Sequence, residues 1–594
     1  MTNEEIQSVP VPQHGRHNRW RLDSVHNPKW SSREKLRELR DVDNRFTFHR
    51  SLPMKSDYKI EISPVEQKIF DFLLKVNNER KLETTMRVAG GWIRNKLFDM
   101  ECDDIDIALD NTLGKDFAEN IAEYAKEKGM AFKAVGVIEA RPDQSKHLET
   151  ATTHIYGQAI DFVNLRCEEY ANQDSRIPSS MRLGTPLEDA LRRDLTINSL
   201  FYNVNTGTIE DFTGMGMNDM QNGIIQTPLP PRSTFLDDPL RVIRTVRFAA
   251  TFNFLIIDDI IESAQLLEVR EALQSKISRE RVRTEIHKIM KGTDPVGAMS
   301  LLSEMKVANV IWTTCNGVKI SEFAKQPAKK IKHDRLLYND PQGLNWDRLQ
   351  WNNSMFRMRY LYKQAKELHL DSETQALLMY AGLLTSCIGD RGDLEELIDN
   401  IMQVGMRQPQ NVSNNLCTIA KGARSIKNFL EMYDPSVKEL TFSEQVDFYL
   451  QRIQGDMRLL VGNWIRKDVK NLYLEACLLS NVIDTVGNEV DDLENEIMFG
   501  GLESRGRALA EAIRVADHGK MVEQMVNMRT VLNGNVIASF LRIKPGKSMS
   551  FIVNEMLDWQ VGNTEDLRNE QNAQLWLEEN KDRFLALHER IDYR

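Results

Sequence analysis

Two short segments hold residues whose types and spacing could do chemistry together. The first is Arg87-Val-Ala-Gly-Gly-Trp-Ile-Arg-Asn-Lys-Leu-Phe98, and Asp103-Asp-Ile-Asp-Ile-Ala-Leu109 follows it closely. Gly90 and Gly91 permit a tight turn and a close approach of backbone to ligand. Arg94 falls in the first turn of a short helix predicted from Trp92 to Phe98, and helix starts with free N–H groups favour phosphate. Asp104 and Asp106, two apart on a predicted strand, point to one face. Paired carboxylates beside a phosphate cradle suit Mg²⁺, which takes a few carboxylates together with substrate phosphates. That is the equipment for two-metal nucleotidyl transfer. Taken alone, a Gly-Gly pair is an ordinary turn and Asp-x-Asp an ordinary solvated strand end. Their order and spacing carry the inference.

Two further constellations extend it. Asp189-Ala-Leu-Arg-Arg-Asp-Leu-Thr-Ile-Asn-Ser-Leu-Phe-Tyr-Asn203 reads as a helix that puts Asp194 and Asn198 on one face with Arg193 beside them. An arginine, an acid and an amide make a site for a nucleotide's phosphate and ribose. Asp237-Asp-Pro-Leu-Arg-Val-Ile-Arg-Thr-Val-Arg-Phe-Ala249 reads as a helix opened by Pro239. Asp238, Arg241, Arg244 and Arg247 form a polar stripe opposite Leu240, Ile243 and Val246. A carboxylate accepts from an exocyclic amine and a guanidinium donates to ring acceptors, so this stripe could read a base edge without a template. The plain alternative for each segment is a salt-bridged surface helix. Asp161, alternating with apolar residues on a strand predicted over Ala159-Ile-Asp-Phe-Val-Asn-Leu165, is a candidate third carboxylate or a solvated strand acid.

In this order the segments resemble the motifs of class II CCA-adding enzymes of eukaryotic type, tRNA nucleotidyltransferases within the DNA polymerase beta superfamily. Ile209-Glu-Asp-Phe-Thr-Gly214 resembles the family's hinge motif, and Ile277 to Met290 its fifth motif, read here as a bracing helix capped by Ser278. Asp237 stands where the family usually has Glu. The polar segment Glu139 to Thr150 matches a loop that helps the family switch from C to A addition. The resemblance implies addition of CCA to the 3′ end of tRNA from CTP and ATP, with two Mg²⁺ ions held by Asp104 and Asp106. It implies triphosphate contacts from Gly90, Gly91, Arg94 and Arg193, a ribose site at Asp194 and Asn198, and base selection by Asp238 and Arg241. A bacterial-type poly(A) polymerase shares these motifs but tends to carry a strongly basic C-terminal extension, which the segment Phe584 to Arg594 lacks. A catalytically inactive RNA-binding protein is the remaining alternative, and the intact carboxylate pair argues against it.

The implied fold class is α+β: a polymerase-beta-like head with a mixed sheet, followed by an all-helical neck, body and tail. Residues 1–53 are polar and arginine-rich, either a disordered extension or a mitochondrial targeting segment, although acids such as Glu4 and Asp23 speak against the latter. Ser63-Pro-Val-Glu66 is a capping box that opens ordered structure. Thr227-Pro-Leu-Pro-Pro231 marks the end of the mixed region. The expected domains are 54–228 for the head, 229–292 for the neck, 293–450 for the body and 451–594 for the tail. In the tail, Leu541-Arg-Ile-Lys-Pro-Gly-Lys547 forms a basic turn ahead of a helix, and Lys544 and Lys547 could grip an RNA phosphate. The lysines around Lys325 to Lys332 read as a linker, and His333-Asp334 lacks partners for a metal-phosphohydrolase site.

Formal net charge over the 594 residues is −10, so any RNA contact must come from a local basic face. Six scattered cysteines without a Cys-x-x-Cys pair argue against a disulfide framework or a zinc site and fit a reducing compartment. No apolar run of membrane-spanning length occurs. The expected location is cytoplasmic, with mitochondrial and nuclear pools, and no obligate protein partner is inferred.

Overall fold

The computed structural model describes residues 60–102, 104–129, 136–138, 150–169, 180–312, 348–385, 398–433, 437, 440–483 and 505–592. The N-terminal extension, most of the Glu139–Thr150 loop, the lysines from Lys325 to Lys332 and the His333-Asp334 pair lie outside the described residues.

Helix α1 (Pro64–Glu79) starts at the expected capping box, with Ser63 accepting from the Glu66 amide and the Glu66 side chain returning to the Ser63 amide. Ile69, Leu73 and Val76 on one stripe are fully buried, each contributing about 1.5–3 kcal/mol. Glu66 also accepts from the Trp92 indole at 2.8 Å and pairs with Lys96 at 2.6 Å. One capping residue thereby fixes both ends of a contact with the next helix.

A seven-stranded sheet follows. Its strands are β1 (Met86–Ala89), β2 (Ile105–Leu109), β3 (Gly136–Ile138), β4 (Thr150–Ile155), β5 (Gln158–Asn164), β8 (Phe201–Asn203) and β9 (Thr208–Glu210), in spatial order β3-β4-β5-β2-β1-β8-β9. The short hairpin β6 (Arg166–Glu169) and β7 (Ser180–Leu183) stands apart from it. Among the described residues of the seven-stranded sheet, β2 and β5 pair in parallel and the other neighbours are antiparallel. The sheet is therefore mixed, as the resemblance implies. Helix α2 (Gly91–Leu97) leaves β1 directly, and α3 (Gly114–Glu127) packs on β4 and β5.

Helices dominate beyond the sheet. The elements that position the site are α4 (Pro186–Leu191), α5 (Gly216–Asn222), α6 (Pro231–Asp237), α7 (Leu240–Phe252), α8 (Asp258–Gln265), α9 (Leu267–Lys276) and α10 (Arg279–Met290). The expected neck is not purely helical: its Leu255–Ile256 (β11) pairs in parallel with Ile224–Ile225 (β10) at the end of the head, because Asn253 takes a left-handed turn that ends α7 and returns the chain beside Gly223. One continuous apolar cluster runs from Ile60 in the head to Ile483 among the later helices. A second centres on residues such as Tyr449, Trp464 and Leu509, and a smaller third holds the final helices through Ile537, Ile552, Leu577 and Phe584. No described helix is long and apolar enough to cross a membrane.

Candidate functional site

The glycine turn forms as expected. Gly90 has φ of 74°, where L side chains are strained, and its N–H donates to the Leu200 carbonyl at 3.2 Å. A Cβ there would also lie 2.9 Å from Nη1 of Arg193. Arg193 is held over the turn by buried Asp189, through Nε at 3.2 Å and Nη2 at 2.8 Å, and by the Asn198 carbonyl at 3.2 Å. Its guanidinium lies 5.0 Å from the Phe201 ring centroid. Burial would raise the Asp189 carboxyl, but Arg193 and Arg192 outweigh it and hold it at about 2. No role for Asp189 is expected from the sequence motifs. Its spacing of three and four residues from two arginines was the available signal.

Arg94 departs from its expected place among the triphosphate contacts. Its guanidinium is buried, hydrogen-bonded to the Asn198 amide oxygen and to Asn95, and lies 4.6 Å and 5.0 Å from the ring centroids of Phe248 and Phe252 on α7. Burial first, then the neighbouring Arg247 charge, brings its pKa down to about 10. It is a strut between α2 and α7. Gly91 leaves room for it, since a Cβ there would approach Arg94 Nη2 to 3.3 Å.

The carboxylates gather at the β2–β5 pair. Asp104 immediately precedes β2 and is exposed, and Asp106 is exposed between buried Ile105 and Ile107. Asp106 stands in register with Asp161 across the parallel pair, and Thr152 donates to Asp161 at 2.6 Å. Desolvation by the surrounding protein, then Asp161, raises the Asp106 carboxyl; Arg193 opposes this and Asp104 adds to it. Adjacent carboxylates with one arginine nearby form an oxygen donor set suited to a hard divalent cation. Among the described residues no three ligating side chains form a complete metal cage. A cation shared with substrate phosphates requires none.

The segment from Asp189 to Asn203 is not the single helix expected. Helix α4 ends at Leu191, a 3-10 turn covers Thr196–Asn198, and β8 begins at Phe201. Leu195 adopts extended backbone, and buried Thr196 is tied instead to Asp219 at 2.6 Å. Asp194 and Asn198 still meet, with the Asn198 amide donating to Asp194 Oδ1 at 3.0 Å. Arg244 takes the other oxygen at 2.7 Å. Burial would raise the Asp194 carboxyl, but Arg244 and the Asn198 hydrogen bond bring it to about 2. Asp194 is therefore committed within the protein rather than standing open as expected for a ribose acceptor.

The polar stripe of α7 is paired along its length. Asp238 sits in extended backbone between α6 and α7, where its Oδ1 accepts from the Leu240 amide at 3.2 Å. Arg281 on α10 grips its carboxylate through Nη1 at 3.4 Å and Nη2 at 2.6 Å. Arg241 donates to the carbonyls of Arg192 at 2.6 Å and Thr234 at 3.3 Å. Arg247 pairs with buried Glu285 at 2.6 Å, and Arg244 approaches the same acid at 3.7 Å. The bracing helix is capped by Ser278, which accepts from the Arg281 amide. Arg281 and Glu285, four apart on α10, complement Asp238 and the arginines of α7; the reading of this segment as a bracing helix gave neither residue a place at the site.

In the tail, the helix after the basic turn is α11 (Ser548–Gly562), and Lys544 and Lys547 are exposed ahead of it. Its first amides are already occupied. Asp592 accepts from the Lys547 amide at 2.7 Å and the Ser548 amide at 3.2 Å. Gly546 makes this approach possible, because a Cβ would stand 2.6 Å from that carboxyl. The expected phosphate grip thus has its lysines available but not its helix start.

A mixed sheet carrying acids beside a glycine turn and an arginine defines a nucleotidyltransferase head. Residues 86–226 match the family model described as the poly A polymerase head domain. The CCA tRNA nucleotidyltransferase, mitochondrial, of Saccharomyces cerevisiae is 42% identical over 294 residues, 48% of this chain and 53% of that protein; that match spans about half the relative's length. The enzyme of the same name from Candida glabrata is 31% identical over 507 residues, 82% of this chain and 89% of that one. A solved CCA-adding enzyme in an apo form shares the fold at TM-score 0.53 and 17% identity, covering 89% of this chain and 99% of that one. The chain belongs to the CCA tRNA nucleotidyltransferase family.

Proposed function

We infer that this chain adds C, C and A to the 3′ end of tRNA from CTP and ATP without a nucleic-acid template. The observation that carries the reading is the nearly full-length likeness to a CCA tRNA nucleotidyltransferase, with the carboxylate pair β2–β5 and the Gly90 turn inside the matched head. The terminal 3′ oxygen attacks the α-phosphorus, its proton leaves, and the bond to the β-phosphate breaks to release pyrophosphate. Two Mg²⁺ ions, held by Asp104 and Asp106 with Asp161 as third acid, would activate that hydroxyl and neutralise the leaving phosphates. Arg193, fixed over the Gly90 turn, opposes the triphosphate charge. Asp238 accepts from the amine of cytosine or adenine, and Arg241, whose Nη1 and Nη2 hold the Thr234 and Arg192 carbonyls in the free protein, would turn a remaining N–H to the ring acceptor. Exposed Lys544 and Lys547 contact the tRNA backbone. Both Saccharomyces and Candida relatives are named mitochondrial, which supports a mitochondrial pool beside cytoplasmic and nuclear ones.

The test is radiolabelled incorporation with a tRNA ending at its discriminator base. Wild type should stop after CCA, whereas runs of A would favour the poly(A) polymerase reading. Asp104→Ala and Asp106→Ala should each abolish addition while tRNA still binds. Near-normal turnover in either variant at ordinary Mg²⁺ would remove the assignment.

A further inference from the structure

We propose that Arg281 is a positioning residue for nucleotide selection, holding the Asp238 carboxylate so that one acceptor direction remains for an incoming amine. The inference rests on the reading of Asp238 as the base-facing acid. A carboxylate has about four lone-pair directions. Oδ1 of Asp238 receives the Leu240 amide at 3.2 Å and Arg281 Nη1 at 3.4 Å. Oδ2 receives Arg281 Nη2 at 2.6 Å. With its Oδ1 directions taken and one at Oδ2 occupied, the group can offer a single acceptor direction to a ligand.

Cytosine and adenine bring an N–H to such an acceptor, whereas uracil and guanine bring a carbonyl at the corresponding edge. Were Asp238 free to rotate about its own side chain, it could turn away from that carbonyl or admit a water between them. The guanidinium fork fixes the plane of the carboxylate and denies both escapes. The backbone that carries Arg281 is fixed, since its amide donates to the Ser278 side chain and carbonyl at the start of α10.

The pair is poorly placed to serve stability instead. Its side chains are 40% and 28% exposed, and exposed ion pairs contribute little. The neighbouring pairs on the same two helices, from Arg244 and Arg247 to Glu285, are deeper and already hold α7 against α10. Arg281 therefore adds a fork at the acid of the stripe that would meet the base amine.

The experiment measures incorporation of all four nucleotides on tRNA substrates ending before and within CCA, with tRNA affinity and melting temperature as controls. Arg281→Ala should raise UTP and GTP incorporation relative to CTP and ATP by roughly ten- to a hundredfold, the range expected for loss of a well-made charged hydrogen bond. Affinity for tRNA and melting temperature should stay near wild type. Arg281→Lys, which keeps the charge but loses the fork, should fall between; if the alanine variant fails to fold, the lysine variant carries the test. In an Asp238→Ala background, removing Arg281 should add no further loss of selectivity. If Asp238→Ala relaxes selection but the Arg281 variants do not, the Arg281 inference falls alone. If Asp238→Ala selects as wild type does, the base-reading role of Asp238 is wrong and the inference falls with it. A uniform loss of rate for all four nucleotides with a lowered melting temperature would assign Arg281 a structural role and overturn the proposal.

Discussion

Asp189 shows how one buried acid can set the charge of a site it does not enter. Its carboxylate accepts from the guanidinium groups of Arg192 and Arg193 and from the Arg166 amide. Its pKa is depressed from 3.8 to about 2, and Asp194 is depressed likewise. For a group whose folded-state pKa is lowered, the stabilisation is present above the unfolded pKa and is lost as pH falls through the folded value. The loss should therefore begin near pH 4 and continue toward pH 2, at about 2 kcal/mol for each group. Urea midpoints measured across that range should fall as pH drops. Asp189→Asn should destabilise the protein by about 3–5 kcal/mol at neutral pH, since it leaves two guanidinium groups without their counter-charge, and should flatten the acid limb. An acid limb as steep as wild type would show that Asp189 is not the group being protonated.

At the scale of elements, α2 and α7 meet through Arg94. The arginine leaves the end of the glycine turn and inserts its guanidinium over Phe248 and Phe252. Arg94→Met keeps the length of the side chain but leaves the Asn198 side chain short of a donor and removes the cation–ring contacts. A loss of about 2–4 kcal/mol in unfolding free energy is expected from the orphaned polar group and the lost cation–π contact. The KM for nucleotide should change less than stability does. A variant with normal stability and a greatly raised KM would return Arg94 to the triphosphate. The tail turn supports a second expectation at this scale. Neutralising Lys544 and Lys547 together should weaken tRNA binding more than it slows chemistry, and the loss should shrink at high salt, where release of counterions into the bulk gains less free energy. Because Asp592 already caps α11, Asp592→Ala should lower the stability of the final helices, as loss of a cap does. Unchanged affinity of the double lysine variant at low salt would make the turn purely structural.

Across the whole molecule, the apolar cores differ in size. The largest joins the sheet, the neck and the helices up to Ile483, whereas the last helices rest on a handful of buried side chains including Ile537, Ile552 and Phe584. Local stability follows buried apolar contact. Amides of the final helices should therefore exchange with deuterium well before those of β1 and β2, and mass spectrometry of the exchanged peptides can order them. The stacked pair Trp559 and Trp576, 5.8 Å between centroids, offers a fluorescence report on the same region. Binding of tRNA should slow exchange in the final helices most, if they hold the RNA. Equal protection of tail and sheet in the free protein would contradict a smaller, independently opening core.

What the sequence determined by itself was local and periodic. The capping box at Ser63, the glycine turn at Gly90, the strand carrying Asp106 and the Ser278 cap are each set by residues a few positions apart, where sterics and short hydrogen bonds decide the outcome. The mixed head and the helical remainder followed from the same periodicities together with the family resemblance. The tertiary structure decided which charges find which partners. Asp194 and Asn198 meet across a broken helix because Thr196 is drawn to Asp219, not because they share a face. Arg94 turns inward because two phenylalanines on α7 receive it. The stripe of α7 is paired because α10, dozens of residues later, presents Arg281 and Glu285 to it. Spacing along a chain fixes which side chains are neighbours on one element. Only packing between elements decides which buried charges are neutralised, since an isolated charge cannot be taken out of water without its partner.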